Sequence, residues 1–186
     1  MPKSYRTLLV VWHSRTGASR QLAAAAVRGA RHCLRQSEGG GADDMRQDGP
    51  AQPAVRIDCV HARGVDAQRV CGASAYIFVA PENLAALSGA MKEFFDRTYY
   101  GALDRVAGRP YAVIIAAGSD GQGAVRQLQR IATGWRLRAI AEPLVVITHA
   151  QTPAAILAEK RVGEADLSRA AELGAAMAQG LAMGVF

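Results

Sequence analysis

The chain has 186 residues, 22 basic and 16 acidic side chains, a net charge of +6 and a half-hydrophobic composition. These proportions exclude a mostly disordered or collagen-like chain and predict one globular domain with room for an insertion. Cys33, Cys59 and Cys71 cannot all pair and show no Cys-x-x-Cys spacing, which argues against a disulfide scaffold or zinc ribbon and for a reducing compartment. The basic side chains are 19 arginines and only three lysines, scattered without a run, so no nucleic-acid partner is expected. After MPKSYR only Thr7 to Val11 precede Trp12, His13 and Arg15, too short a run for an export signal. No stretch approaches the roughly 18 apolar residues of a spanning helix. A soluble, cytoplasmic protein without a membrane partner is the expectation.

In chain order, the first apolar run is TLLVVWH (7–13), followed by Leu22, Ala26, Ala30 and Leu34 at helical spacing. Residues 37–54 then break the pattern with Gly, Asp, Gln and Pro, and read as a flexible surface insertion. VRIDCV (55–60) alternates, with Val55, Ile57 and Cys59 expected to face inward, as an edge strand does. GVDAQRVCGA (64–73) is a short helix candidate. AYIFVA (75–80) is a third strand, and the following segment puts Met91, Phe94, Phe95 and Tyr99 on one helical face, with Ser88 as its N-cap. YAVIIAA (111–117) is a fourth strand. Val125, Leu128, Ala132 and Trp135 mark the next helix, with Trp135 expected in the core. PLVVI (143–147) is a fifth strand, opened by a proline that an edge tolerates. Leu167, Ala170, Gly174, Met177 and Leu181 mark the last helix.

This alternation predicts an α/β fold: a three-layer, doubly wound, five-stranded parallel sheet. The flavodoxin-like order 2-1-3-4-5 suits it, because the alternating strand and the proline-led strand then fall at the two edges. The whole of 1–186 is expected to form one domain of that kind.

In such a sheet, ligands bind at the carboxyl ends of the strands where the order reverses, between strands one and three. The loop after strand one, Ser14-Arg15-Thr16-Gly17-Ala18-Ser19, has three hydroxyl donors, a glycine for close backbone approach and a following helix N-terminus. That is the chemistry of a phosphate site. Pro81-Glu82-Asn83-Leu84 follows strand three, and Gly118-Ser119-Asp120-Gly121 follows strand four. The glycine-rich 118–123 segment lacks dinucleotide GxGxxG spacing and serves equally as a flexible turn with Asp120 as a cap.

HSRTGAS matches the Ser-x-Thr-Gly-x-Ser/Thr phosphate loop of flavodoxins. VAPENLAALSGAMKEFFDRTYYG (79–101) and AAGSDGQGAVRQLQRIATG (116–134) resemble the second and third loops, with their helices, of flavodoxin-fold NAD(P)H-dependent FMN reductases and quinone reductases. The resemblance implies FMN as cofactor. Ser14, Arg15, Thr16, Gly17, Ala18 and Ser19 would hold its phosphate. Pro81, Glu82, Asn83 and Leu84 would line the isoalloxazine, and Gly118, Ser119, Asp120 and Gly121 would border its other edge. Family members often place an aromatic residue in the second loop, where this chain has Leu84-Ala85-Ala86-Leu87.

The activity implied is reduction of a quinone or similar small acceptor at the expense of NAD(P)H. The alternatives are an electron carrier without turnover of its own, and a flavin-free binding protein on the same fold. No catalytic acid or base is singled out. His13 and His149 sit near strand ends, where a packed or surface histidine is the ordinary case, and no His/Cys/Asp/Glu group has metal-ligand spacing. Asp43 and Asp44 read as solvated, and no cysteine opens a Cys-x5-Arg phosphatase motif. Tyr100, beside Gly101, is a candidate homodimer contact.

Overall fold

Residues 5–39 and 54–186 are described by a computed structural model. The main strands are β1 (Tyr5–Trp12), β2 (Ala54–His61), β3 (Ala75–Asn83), β5 (Pro110–Ala117) and β7 (Leu144–Ile147); β4 (Ala86–Leu87) and β6 (Arg138–Ala139) are two-residue strands. The helices are α1 (Ala18–Gly39), α2 (Ala67–Gly72), α3 (Gly89–Ala102), α4 (Gln122–Gly134), α5 (Pro153–Leu157) and α6 (Glu164–Met183), and a 3-10 turn covers Ala62–Gly64. The main strands run parallel in the order β2-β1-β3-β5-β7, the expected flavodoxin-like winding.

The unalternating Val/Ile-rich strands are covered on both faces. On one side Leu9, Val11, Tyr76, Phe78, Val113 and Ile115 pack with α3 and α4, burying Phe94, Phe95, Leu128 and Trp135. On the other, Leu8, Val10, Ile77, Val79 and Ile114 pack against α1 and α6 through Leu22, Ala26, Ala30 and Met177. Burying each large aliphatic side chain contributes roughly 1.5–3 kcal/mol, so these two layers fix the frame.

Several expectations shift. The insertion over 37–54 overlaps its neighbours: Ser37 to Gly39 continue α1, Ala54 opens β2, and the remainder lies outside the described residues. Cys59 is exposed, whereas Val55 and Ile57 do pack on the α1–α6 layer. As an edge strand, β2 has a neighbour on one side only, so strand alternation does not guarantee cover along its whole length. Strand three does not stop at Ala80 but runs to Asn83 and turns back as a hairpin into β4. The fifth strand begins after Pro143, at Leu144, and α5 is an additional element before the last helix.

Candidate functional site

The carboxyl ends of β1, β3, β5 and β7 surround a cleft of about 490 Å³, within the roughly 300–1,000 Å³ of small-ligand sites. Ser14, Arg15, Thr16, Ala18 and Ser19 form one wall, Pro81, Glu82, Asn83 and Leu84 a second, and Gly118 and Ser119 a third. The three sequence segments are therefore brought together. Gly17 faces a neighbouring depression, Asp120 is exposed outside the lining, and Gly121 is buried at the start of α4.

The first wall is a tight turn. Ser14 Oγ accepts a hydrogen bond from Gly17 N at 3.0 Å, and Gly17 adopts φ +94°, a region that L side chains disfavour. The turn delivers the chain into α1, whose first amides and positive dipole end meet the cleft. Ser19, on the first turn of α1, is fully buried, and its Oγ has no hydrogen-bond partner. A buried hydroxyl without a partner costs about 1–3 kcal/mol. It is the only such side-chain atom among the described residues.

The second wall is more rigid than a loop. Glu82 and Asn83 pair antiparallel with Leu87 and Ala86, leaving Leu84 and Ala85 as a two-residue turn at φ +52° and +57°. Both residues are left-handed, the requirement of a type I′ hairpin that Asn-Gly usually satisfies. Leu84 is consequently held out in solvent at the cleft rim. Contacts with α4 impose the strain. The Glu82 carboxylate accepts from Gly121 N at 2.8 Å and Ala124 N at 3.2 Å, so it caps that helix in place of Asp120. Gln127 Oε1 accepts from Leu87 N at 2.8 Å. A Cβ on Gly123 would stand 2.0 Å from Ala85 O, so only glycine admits the hairpin there.

Ser88 does occupy the N-cap position of α3, but its hydroxyl makes no cap bond. It lies 2.7 Å from His13 Nδ1, joining the end of β1 to the end of the hairpin. The His13 imidazole is held below its ordinary pKa by burial first, and then by His61, Arg63 and Arg15. His149, also near a strand end, is exposed.

Sequence reasoning missed the cover of the cleft. The 153–162 segment crosses the first loop and is tied there by Gln21, whose Nε2 donates to Lys160 O at 2.6 Å and whose Oε1 accepts from Val162 N at 3.2 Å. Lys160 N also donates to Thr16 O at 2.7 Å. The Lys160 ammonium is directed at the carbonyls of Ala155, Ile156 and Ala158. Ile156 and Leu157 thereby join the cleft lining. Thr152-Pro153, a helix-start signal whose hydroxyl accepts from Ala155 N at 3.2 Å, was the clue available in the sequence. Among the described residues, no group of His, Cys, Asp and Glu is arranged to hold a metal ion, and no helix is long and apolar enough to cross a membrane.

Residues 63–152 match the family model of NADPH-dependent FMN reductase. The match includes the hairpin and the 118–121 loop but not the Ser14–Ser19 turn. No curated protein matches the chain. Among solved structures, a flavodoxin from the domain Archaea superposes with TM-score 0.65 at 13% identity, covering 94% of this chain and 98% of that one. An oxidoreductase from Corynebacterium diphtheriae gives 0.62 at 17% identity, with 97% and 98% covered. A WrbA-like flavodoxin from Agrobacterium tumefaciens gives 0.60 at 14% identity, with 95% and 97% covered. These likenesses extend over nearly the whole of each chain, and at such identities they establish the fold.

Proposed function

We propose that this chain, a member of the flavodoxin-like superfamily resembling the NADPH-dependent FMN reductases, is an FMN-binding oxidoreductase. The observation that carries the reading is the Ser19 hydroxyl, fully buried and unpartnered on the first turn of α1 beside the cleft. A phosphate oxygen would supply the acceptor it lacks, and the free amides of α1 would share the charge. Thr16 and Arg15, on the same wall, add a hydroxyl and a guanidinium. The donor set and the cleft volume both fit a phosphorylated, flat heterocycle.

FMN, when bound, would supply two-electron transfer between a nicotinamide nucleotide and a small acceptor such as a quinone. The chain's own residues then have positioning work. The Ser14–Ser19 turn orients the phosphate. The hairpin, fixed to α4 through Glu82 and Gln127, sets one wall for the ring at a constant distance from the 118–119 loop. Leu84, Ile156 and Leu157, which line the same cleft, would offer aliphatic carbon to the bound ring. The reading puts the protein in the cytoplasm, with Tyr100, which is exposed on α3, as a contact for a second copy.

Isothermal titration of FMN and, in parallel, riboflavin tests the assignment. Saturable FMN binding at micromolar concentration or tighter is expected, with riboflavin at least about tenfold weaker for want of a phosphate. Equal affinities, or no heat from either ligand at high micromolar protein, would overturn it. NADPH oxidation by the purified, FMN-loaded protein alone separates a reductase from an electron carrier.

A further inference from the structure

The outward face of α1 carries charge that the proposed function does not use. At about 100° per residue, Arg20, Ala24, Arg28, Arg31 and Arg35 fall within about 80° of one another, and all five are exposed. Leu22, Ala26 and Ala30, on the opposite side of the helix, are fully buried. The arginines therefore form one stripe, roughly 22 Å long from Arg20 to Arg35. A solvated helix face commonly carries both signs, but the one acidic residue of α1 is Glu38, in its last turn. Arg20 meets Glu159 at 3.6 Å, an exposed pair that contributes almost nothing. Arg28, Arg31 and Arg35 join none of the ion pairs among the described residues.

An apolar turn abuts the stripe. Pro153, Ala154 and Ala158 are exposed beyond the cleft lining, and Ile156 and Leu157, within it, are 51% and 70% exposed. Gln21 of α1 holds the chain just after this turn through Lys160 O and Val162 N, and Leu157 lines the same surface depression as Arg20. The turn is thus fixed at the end of the stripe. A nucleic acid would meet the arginines and leave the apolar turn in water. An anionic bilayer meets both, with its headgroups on the guanidiniums and its acyl boundary on the turn.

We infer that the protein docks peripherally on an anionic lipid surface through the α1 arginine stripe and the adjoining 153–158 turn. This departs from the expectation of a chain without a membrane partner, which rested on the lack of a long apolar stretch; peripheral attachment needs no spanning helix. The docking stands on the surface alone. Its consequence for the proposed oxidoreductase rests on the cofactor reading: the cleft mouth meets the phase in which an apolar quinone dissolves.

The test is co-sedimentation of the full chain, without flavin, with vesicles of phosphatidylcholine alone or with about a third phosphatidylglycerol. Binding to the anionic vesicles only is expected, and high salt should release it. Each arginine beside an anionic leaflet tightens binding by about fivefold, so Arg28→Gln/Arg35→Gln should weaken it about 25-fold. The control is Arg126→Gln/Arg130→Gln, which removes as much charge from the exposed face of α4 in the opposite helix layer and should change binding less than about threefold. Ala154→Glu should weaken it at least about fivefold by setting a like charge against the leaflet. No binding to anionic vesicles, equal binding to neutral ones, or equal losses from the two arginine pairs would overturn the proposal. Unchanged binding by Ala154→Glu would remove the turn from the contact and overturn the two-part docking. Binding to a DNA duplex that depends on Arg28 and Arg35, without vesicle binding, would assign the stripe to nucleic acid instead and also overturn it. FMN binding by a chain that ignores anionic vesicles refutes the docking alone, and vesicle binding by a chain that ignores FMN refutes the cofactor reading alone.

Discussion

Replacing Ser19 with alanine should move stability and binding in opposite directions. In the free protein Ser19 Oγ is fully buried without a partner. Deleting it removes a desolvation penalty of about 1–3 kcal/mol and gains a few tenths more from alanine's better helix propensity. For a domain of this size each kcal/mol raises Tm by about 2–4 °C. Ser19→Ala should therefore melt several degrees higher than wild type in the absence of flavin. With FMN present the sign of the effect opposes this. Losing a hydrogen bond to a charged phosphate costs about 1.5–3 kcal/mol, at least about a tenfold rise in Kd. At FMN concentrations near a hundred times the wild-type Kd, linkage then stabilises wild type by about 2.7 kcal/mol and a tenfold weaker variant by about 1.4 kcal/mol. The variant's advantage should shrink by about 1.3 kcal/mol as FMN is added. Urea unfolding with and without FMN measures both halves. A variant less stable than wild type without flavin would mean the hydroxyl is already satisfied. Unchanged FMN affinity would mean no phosphate meets it.

Three further predictions concern the frame of the site. Glu82→Ala strips a carboxylate that accepts from the amides of Gly121, the N-cap of α4, and Ala124, at 2.8 and 3.2 Å, and should cost about 2–4 kcal/mol in urea unfolding, with Glu82→Gln costing about half as much. Ala85→Gly relieves a left-handed alanine at φ +57° and should raise stability by about 0.5–1 kcal/mol; a loss would show that the hairpin is unstrained. His13, whose folded pKa lies below its ordinary value of about 6.5, binds fewer protons folded than unfolded below that pH, so its contribution is complete above pH 6.5 and is lost as pH falls toward the depressed folded value. His61, Arg63 and Arg15 face it and reinforce that sign. Urea midpoints at pH 7.5 and 5.5 should therefore differ less in His13→Gln than in wild type, and an equal difference would discard the assignment.

Much of the frame was legible because its causes are local. Strands covered on both faces need unbroken Val/Ile runs, and amphipathic helices need apolar residues at 3.6-residue spacing, so element types and the parallel sheet follow from pattern alone. The turn around Gly17 was legible for the same reason, because hydroxyls and a glycine before a helix are a short-range signal.

The remaining features were not written locally. Leu84-Ala85 carries no hairpin signature, since its left-handed turn is imposed by α4, about forty residues further along, through Glu82, Gly123 and Gln127. Ser88 looks like a cap, but its hydroxyl sits 2.7 Å from a histidine 75 residues away. Gln21 looks like one more helix residue, but it fixes the cover of the cleft across 139 residues of chain. Glu82, Gln127 and Ser88 took distant partners, and Gln21 bonds the distant Lys160 O and Val162 N as well as its near neighbour Gly17 O. The sequence by itself determined the periodic burial that makes the layers and the short turn that opens α1. Only the tertiary structure decided which distant groups Glu82, Gln127, Ser88 and Gln21 meet, and left Ser19 Oγ with no partner.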